Sequence, residues 1–128
     1  MQNILITAKS TIASVGYEKE QIWSNYISSK SSLTTCCFNN QDTPTGKLSA
    51  DGEKQIKNLR KDNISYRRLD KSVILALWAS RNVVKDAGWN DMSGVAVNIG
   101  SSRGATQLFE KYHKHFVETT EKRMTPLV

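Results

Sequence analysis

The run VILALWA, residues 73–79, constrains this chain more than any other feature. It sits inside a predicted helix over about 70–87. Asp70 is placed to cap the N-terminus, because its short carboxylate can accept from the first free backbone N–H groups. Gly88 falls where a C′ glycine ends a helix. Between them the helix has almost no polar face. A helix that is apolar all round must be covered all round. A chain of 128 residues with few other elements supplies little cover. The helix therefore predicts that the sequence belongs to a larger assembly of elements.

The other elements are fewer and shorter. Residues 3–8, NILITA, are apolar and rich in β-branched side chains, which predicts a buried strand. Ser14 and Gly16 mark a turn. YEKEQIWSNYISS follows, with Ile22, Trp23, Tyr26 and Ile27 on one helical stripe. Residues 28–48 are polar and hold Pro44 and Gly46, so they read as a long loop. A weaker helix is expected over 49–61, with Ser49 as its N-cap. After Gly94, residues 95–99 (VAVNI) predict a second buried strand. Gly100–Gly104 form a turn, and a last helix covers about 104–118 with Leu108, Tyr112 and Phe116 inward. Leaving the weaker helix aside, the order is strand, helix, helix, strand, helix. Two strands joined through helices imply a parallel sheet and an α/β class. The chain runs out at RMTPLV without the further strands such a sheet needs.

Charge narrows the partners. Eighteen basic and twelve acidic residues give a net charge of +6. Residues 47–71 alone carry eight basic and four acidic side chains, so the excess centres on KNLRK and YRR. Such a patch suits an acidic partner, either a protein or a nucleic acid, or forms a solvated face. No run of about 18 apolar residues is present to span a membrane. The first residues lack a secretory n-region, so a cytoplasmic protein is expected. Cys36 and Cys37 are adjacent and lack the CxxC spacing of a zinc site, which predicts two ordinary thiols. His113 and His115 are two apart on a helix and point to different faces, so no metal site is expected. No nucleophile, base and orienting group come together, and no complete active site is legible.

The turn in VAVNIGSSRGATQLF invites two readings. Backbone N–H groups at a helix start attract anions, and Arg103 adds charge, so the turn could cradle a dinucleotide phosphate. That motif uses three glycines after a first strand. Here Gly100 and Gly104 are two, Thr106 stands at the third place, and the strand is a late one. The other reading makes the turn one wall of an acyl pocket.

Four stretches, taken in order, resemble one family. They are ILITAKSTIASVG with EQIWSNYISSKSSL, then YRRLDKSVILALWASRNVVKDAGW, then GVAVNIGSSRGATQLFEKYHKHF, then MTPLV. They resemble the N-terminal part of the β-ketoacyl-acyl-carrier-protein synthases, the condensing enzymes. The resemblance spans nearly the whole chain but only the first part of that family, whose catalytic cysteine and two histidines lie downstream. It implies a partial thiolase-like α/β unit, incomplete over residues 1–128, with no catalytic residue, metal or cofactor of its own. The chain alone is expected to be inactive.

The resemblance also implies particular site residues. Arg67 and Arg68 match the basic pair that helps dock the acidic acyl carrier protein. Gly100, Ser102, Arg103 and Gly104 match the glycine-rich turn beside the acyl chain. Here the turn reads GSSRGA where the family has GSGxGG, and Arg103 replaces an apolar residue. A buried unpaired guanidinium would cost several kcal/mol, so either Arg103 turns outward or the pocket takes something other than a plain fatty chain. The implied reaction for the complete protein is decarboxylative condensation of an acyl group with malonyl carrier protein, in fatty-acid, polyene or polyketide synthesis. The complete protein would be a homodimer or pair with a partner synthase subunit, with no nucleic-acid or membrane partner. A non-enzymatic basic binding module, for nucleic acid or an acidic protein, is the alternative that the charge pattern leaves open. A nicotinamide or adenine nucleotide site ranks third.

Overall fold

The computed structural model describes residues 4–119. In chain order these form helix α1 (Lys19–Ile27), strands β1 (Leu33–Phe38) and β2 (Gln41–Gly46), and helices α2 (Ala50–Asp62), α3 (Lys71–Asp86) and α4 (Thr106–Glu118). A 3₁₀ turn, Ile64–Arg68, joins α2 to α3. The chain thus combines helices with a small sheet, as an α/β reading expects, but its strands are not the expected ones.

Three helix boundaries follow from local chemistry. Ser49 accepts a hydrogen bond from Gly52 N at 3.1 Å and starts α2. Asp70 accepts from Ser72 N at 2.9 Å and starts α3. Gly88 takes a φ of +67° just past α3, a left-handed conformation that most side chains resist. The α2 and α3 helices pack on each other through the buried Ile56, Leu59 and Ile74. Leu48, Tyr66, Leu69 and Trp78 flank this core. Tyr17 ties the α1 region to α3 by meeting Trp78 edge-on at 5.8 Å.

Only Ile74 of α3 is buried, while Val73, Leu75, Ala76, Leu77, Trp78 and Ala79 stay half-buried. The apolar helix therefore has cover on one side and lacks it elsewhere among the described residues. The stripe expected on α1 is less covered still. Trp23 and Tyr26 stack on each other at 6.5 Å, and both are exposed, as is Ile27.

Among the described residues, the two predicted strands and their parallel sheet do not form. Residues 4–8 run without strand pairing, and Ile4, Leu5 and Ile6 are exposed. Residues 95–99 likewise stay unpaired, with Val97 and Ile99 exposed. A strand is satisfied only by a neighbour's N–H and C=O groups, and no described segment offers them. Residue 3 of the first predicted strand and the MTPLV stretch lie outside the described residues.

The sheet that does form is an antiparallel hairpin inside the expected loop over 28–48. Asn39 and Asn40 connect its strands with φ values of +50° and +61°. Two left-handed residues make the tight turn whose twist matches paired strands, and asparagine tolerates that conformation. Pro44 sits opposite Thr35 on an open-edged, two-stranded sheet, where a missing N–H is tolerated. The observed order is helix, hairpin, helix, helix, helix, in place of strand, helix, helix, strand, helix.

Candidate functional site

Arg67 and Arg68 end the 3₁₀ turn, and both are exposed. The turn is set at both ends. Asn63 accepts from Ser65 N at 2.9 Å, and the Arg60 guanidinium donates to the Arg67 carbonyl at 3.3 Å. Leu69, beside the pair, packs against the core. The two guanidiniums are thus held on a short, anchored connection between α2 and α3. Among the described residues, neither has a carboxylate within 4.0 Å.

Asp70 follows directly and is buried, at 7% exposure. Its Oδ1 accepts from both the backbone N and the hydroxyl of Ser72, each at 2.9 Å. Its Oδ2 accepts from Gln107 N at 3.2 Å, at the start of α4. One carboxylate therefore serves two helix starts. The Ser72 backbone bond is the main reason that its pKa lies below the usual 3.8, assisted by the Ser72 hydroxyl and the N–H groups of Leu108 and Gln107 and opposed by burial. Ala105, at the N-cap of α4, makes no side-chain cap of its own. Asp70 takes that role from another helix, which its place in the sequence does not reveal.

The glycine turn hangs on this junction. Ser101 Oγ accepts from Gly104 N at 2.8 Å, and the Ser72 hydroxyl, whose one proton goes to Asp70 at the shorter 2.9 Å, lies 3.3 Å from the Gly104 carbonyl. Gly104 has a φ of +63°, so a side chain there would be strained. Gly100, Ser102, Arg103 and Gly104 are all exposed. The Gln107 N–H at the start of α4 is already taken by Asp70, which leaves one fewer backbone donor there for a dinucleotide phosphate.

On α4, Leu108 and Phe116 are half-buried and Tyr112 is exposed at 37%, so the expected inner face is only partly covered among the described residues. His113 stacks on Phe109 at 6.1 Å. Among the described residues, no three His, Cys, Asp or Glu side chains are grouped to hold a metal ion. No helix among them is long and apolar enough to cross a membrane.

Cys36 and Cys37 lie on β1 rather than in a loop, and both thiols are free. Lys47, which hydrogen-bonds the thiolate form, chiefly lowers the Cys36 pKa below its usual 9.0. Thr45 and Thr34 add to this, and burial opposes it.

Tyr66 is the aromatic side chain within the basic YRR stretch. Arg81 covers its ring at 5.3 Å and donates to its hydroxyl at 3.1 Å. A ring so occupied is a poor platform for a nucleic-acid base, which needs an open aromatic face.

Relatives point the same way. The chain resembles 3-oxoacyl-[acyl-carrier-protein] synthase 2. It is 25% identical to the protein of that name from Staphylococcus aureus (strain COL) over 131 residues, which covers 98% of this chain and 31% of that one. It is 26% identical to the strain MRSA252 protein over 129 residues, covering 96% of this chain and 31% of that one. The chain thus spans about a third of the length of the curated relatives it matches. No family model matches, and no solved structure matches. The similarity is distant, and it supports a condensing-enzyme-like segment.

Proposed function

We propose that this chain is the N-terminal segment of a β-ketoacyl-acyl-carrier-protein synthase-like condensing enzyme, and that its Arg67–Arg68 face docks the acidic carrier protein. One observation carries the reading: similarity along nearly the whole chain to a synthase whose name specifies an acyl carrier protein. The charge geometry agrees with it. Two exposed guanidiniums on an anchored turn can steer an acidic protein, an effect felt mainly in the association rate. Other residues of the complete protein would carry out the condensation, and this segment alone is inactive. The glycine turn at Gly100, Ser102, Arg103 and Gly104 would form one wall of the acyl pocket once the missing cover is in place. Arg103, exposed here, is then free to stay outside the pocket.

Titrating the chain with acyl carrier protein at low and moderate salt tests this. Binding that weakens about tenfold or more in Arg67→Glu/Arg68→Glu, with a shallower salt dependence, is expected. Unchanged affinity at low salt would remove the docking claim.

A further inference from the structure

A second feature of this face is not explained by docking at an exposed arginine pair. Between the 3₁₀ turn, the start of α3 and the flank of α4 lies a cleft of about 590 Å³. Arg60, Arg67, Arg68, Lys71 and Lys111 line it, together with the Tyr112 side chain. Five cations thus meet around one space, with Asp70 as the acidic residue in the lining. The Asp70 carboxylate is already occupied by N–H groups of two helices. Lys71 is paired with Glu53, and Arg60 is engaged by a backbone carbonyl. Among the described residues, Arg67, Arg68 and Lys111 have no carboxylate within 4.0 Å. Like charges brought together in a concave space repel one another unless an anion joins them. Guanidiniums match the oxygens of a phosphate in a forked, two-bond geometry, and an ammonium adds a point charge.

We infer that this cleft is a phosphate site, in which Arg67, Arg68 and Lys111 hold a phosphate monoester or diester beside Tyr112. The inference builds on the docking reading of Arg67 and Arg68 but does not require it, because Lys111 reaches the cleft from α4. The phosphate could belong to a free phosphate ester or to the prosthetic arm of a carrier protein. The chemistry recognised is the same in both cases.

The probe is inorganic pyrophosphate, titrated into the full chain at low salt and followed by calorimetry and by amide shifts. The expected result is saturable binding that shifts the amides of residues 107–112. Binding should weaken about tenfold in Lys111→Glu and severalfold in Lys111→Met, since one of three unpaired cations is reversed or removed. Lys114→Glu, on the same helix and outside the cleft lining, should leave it within about twofold. Equal losses in Lys111→Glu and Lys114→Glu would reduce the effect to net charge and overturn the site. So would unchanged binding in Lys111→Glu. Competition then identifies the source. Displacement of pyrophosphate by carrier protein bearing its phosphodiester-linked arm, but not by the armless form, assigns the phosphate to the arm. Retention against both assigns it to a free ester. Pyrophosphate binding without any carrier binding would sink the docking reading and leave the cleft standing. Carrier binding that depends on Arg67 and Arg68, with pyrophosphate binding indifferent to Lys111, would do the reverse.

Discussion

The apolar run of α3 and the two runs at 4–8 and 95–99 share a strongly apolar composition, yet they have opposite fates. Ile56, Leu59 and Ile74 are buried, the last at 0% exposure. Ile6 is 89% exposed and Val97 74%. The difference lies in where each element finds its partners. A helix satisfies its own backbone and needs only a facing stripe, which α2 provides for α3. A strand must borrow hydrogen bonds from a neighbour as well as burying its side chains. Neither run finds such a neighbour within the described residues. The same contrast marks α3 itself, buried toward α2 and half-covered elsewhere. Among the described residues, large apolar side chains such as Ile4, Leu5, Ile6, Trp23 and Tyr26 are left exposed.

The sharpest way to break this comparison is to truncate one residue on each side of it. Ile74→Ala should cost about 2–5 kcal/mol, the usual range for a fully enclosed aliphatic side chain. Val97→Ala should stay within about 0.5 kcal/mol, as an exposed site does. Chemical denaturation of both variants checks this, and equal losses would mean that the 95–99 run is buried in solution.

A somewhat smaller effect is expected where the two kinds of region meet, at Asp70. Asp70→Ala should cost about 2 kcal/mol, at the upper end for an N-cap because the carboxylate serves two helices. Hydrogen exchange should show residues 106–118 losing protection while α2 keeps it. The pH dependence has a definite sign. The folded-state pKa is depressed, so the contribution is complete above the ordinary value of 3.8 and is lost as pH falls below it through the folded value. Protection of α4 should fade over that acidic window in the native chain. In Asp70→Ala it should be low throughout.

The smallest effect belongs to the hairpin, whose strands pair only with each other among the described residues. Lys47 lowers the Cys36 pKa, so the pH–rate profile for alkylation of Cys36 should have its midpoint below 9.0. Lys47→Met should move that midpoint upward and slow the reaction near neutral pH about two- to fivefold. Mass-resolved alkylation reads this directly, and an unmoved midpoint would separate Lys47 from the thiol.

What the sequence makes legible follows the same division. Ser49, Asp70 and Gly88 announce helix ends because a cap is local chemistry, and all three act as expected. The hairpin was legible too, through Asn39-Asn40 between two strand-like runs, but Pro44 and Gly46 draw the eye to a loop. The runs at 4–8 and 95–99 form no strand among the described residues, because an apolar, β-branched run states a tendency and not a partner. Arg67 and Arg68 could be picked out as a pair. The cleft could not, because Lys111 is far from them in sequence and is carried beside them by α4, whose start is tied to Asp70.

The central claim is that this chain is one part of a larger condensing enzyme, whose remaining residues cover the open apolar surface. The intact mass of the protein in its native source tests it most directly. A mass several times 14.4 kDa is predicted. A native mass of 14.4 kDa would contradict the account and favour a free-standing basic binding module.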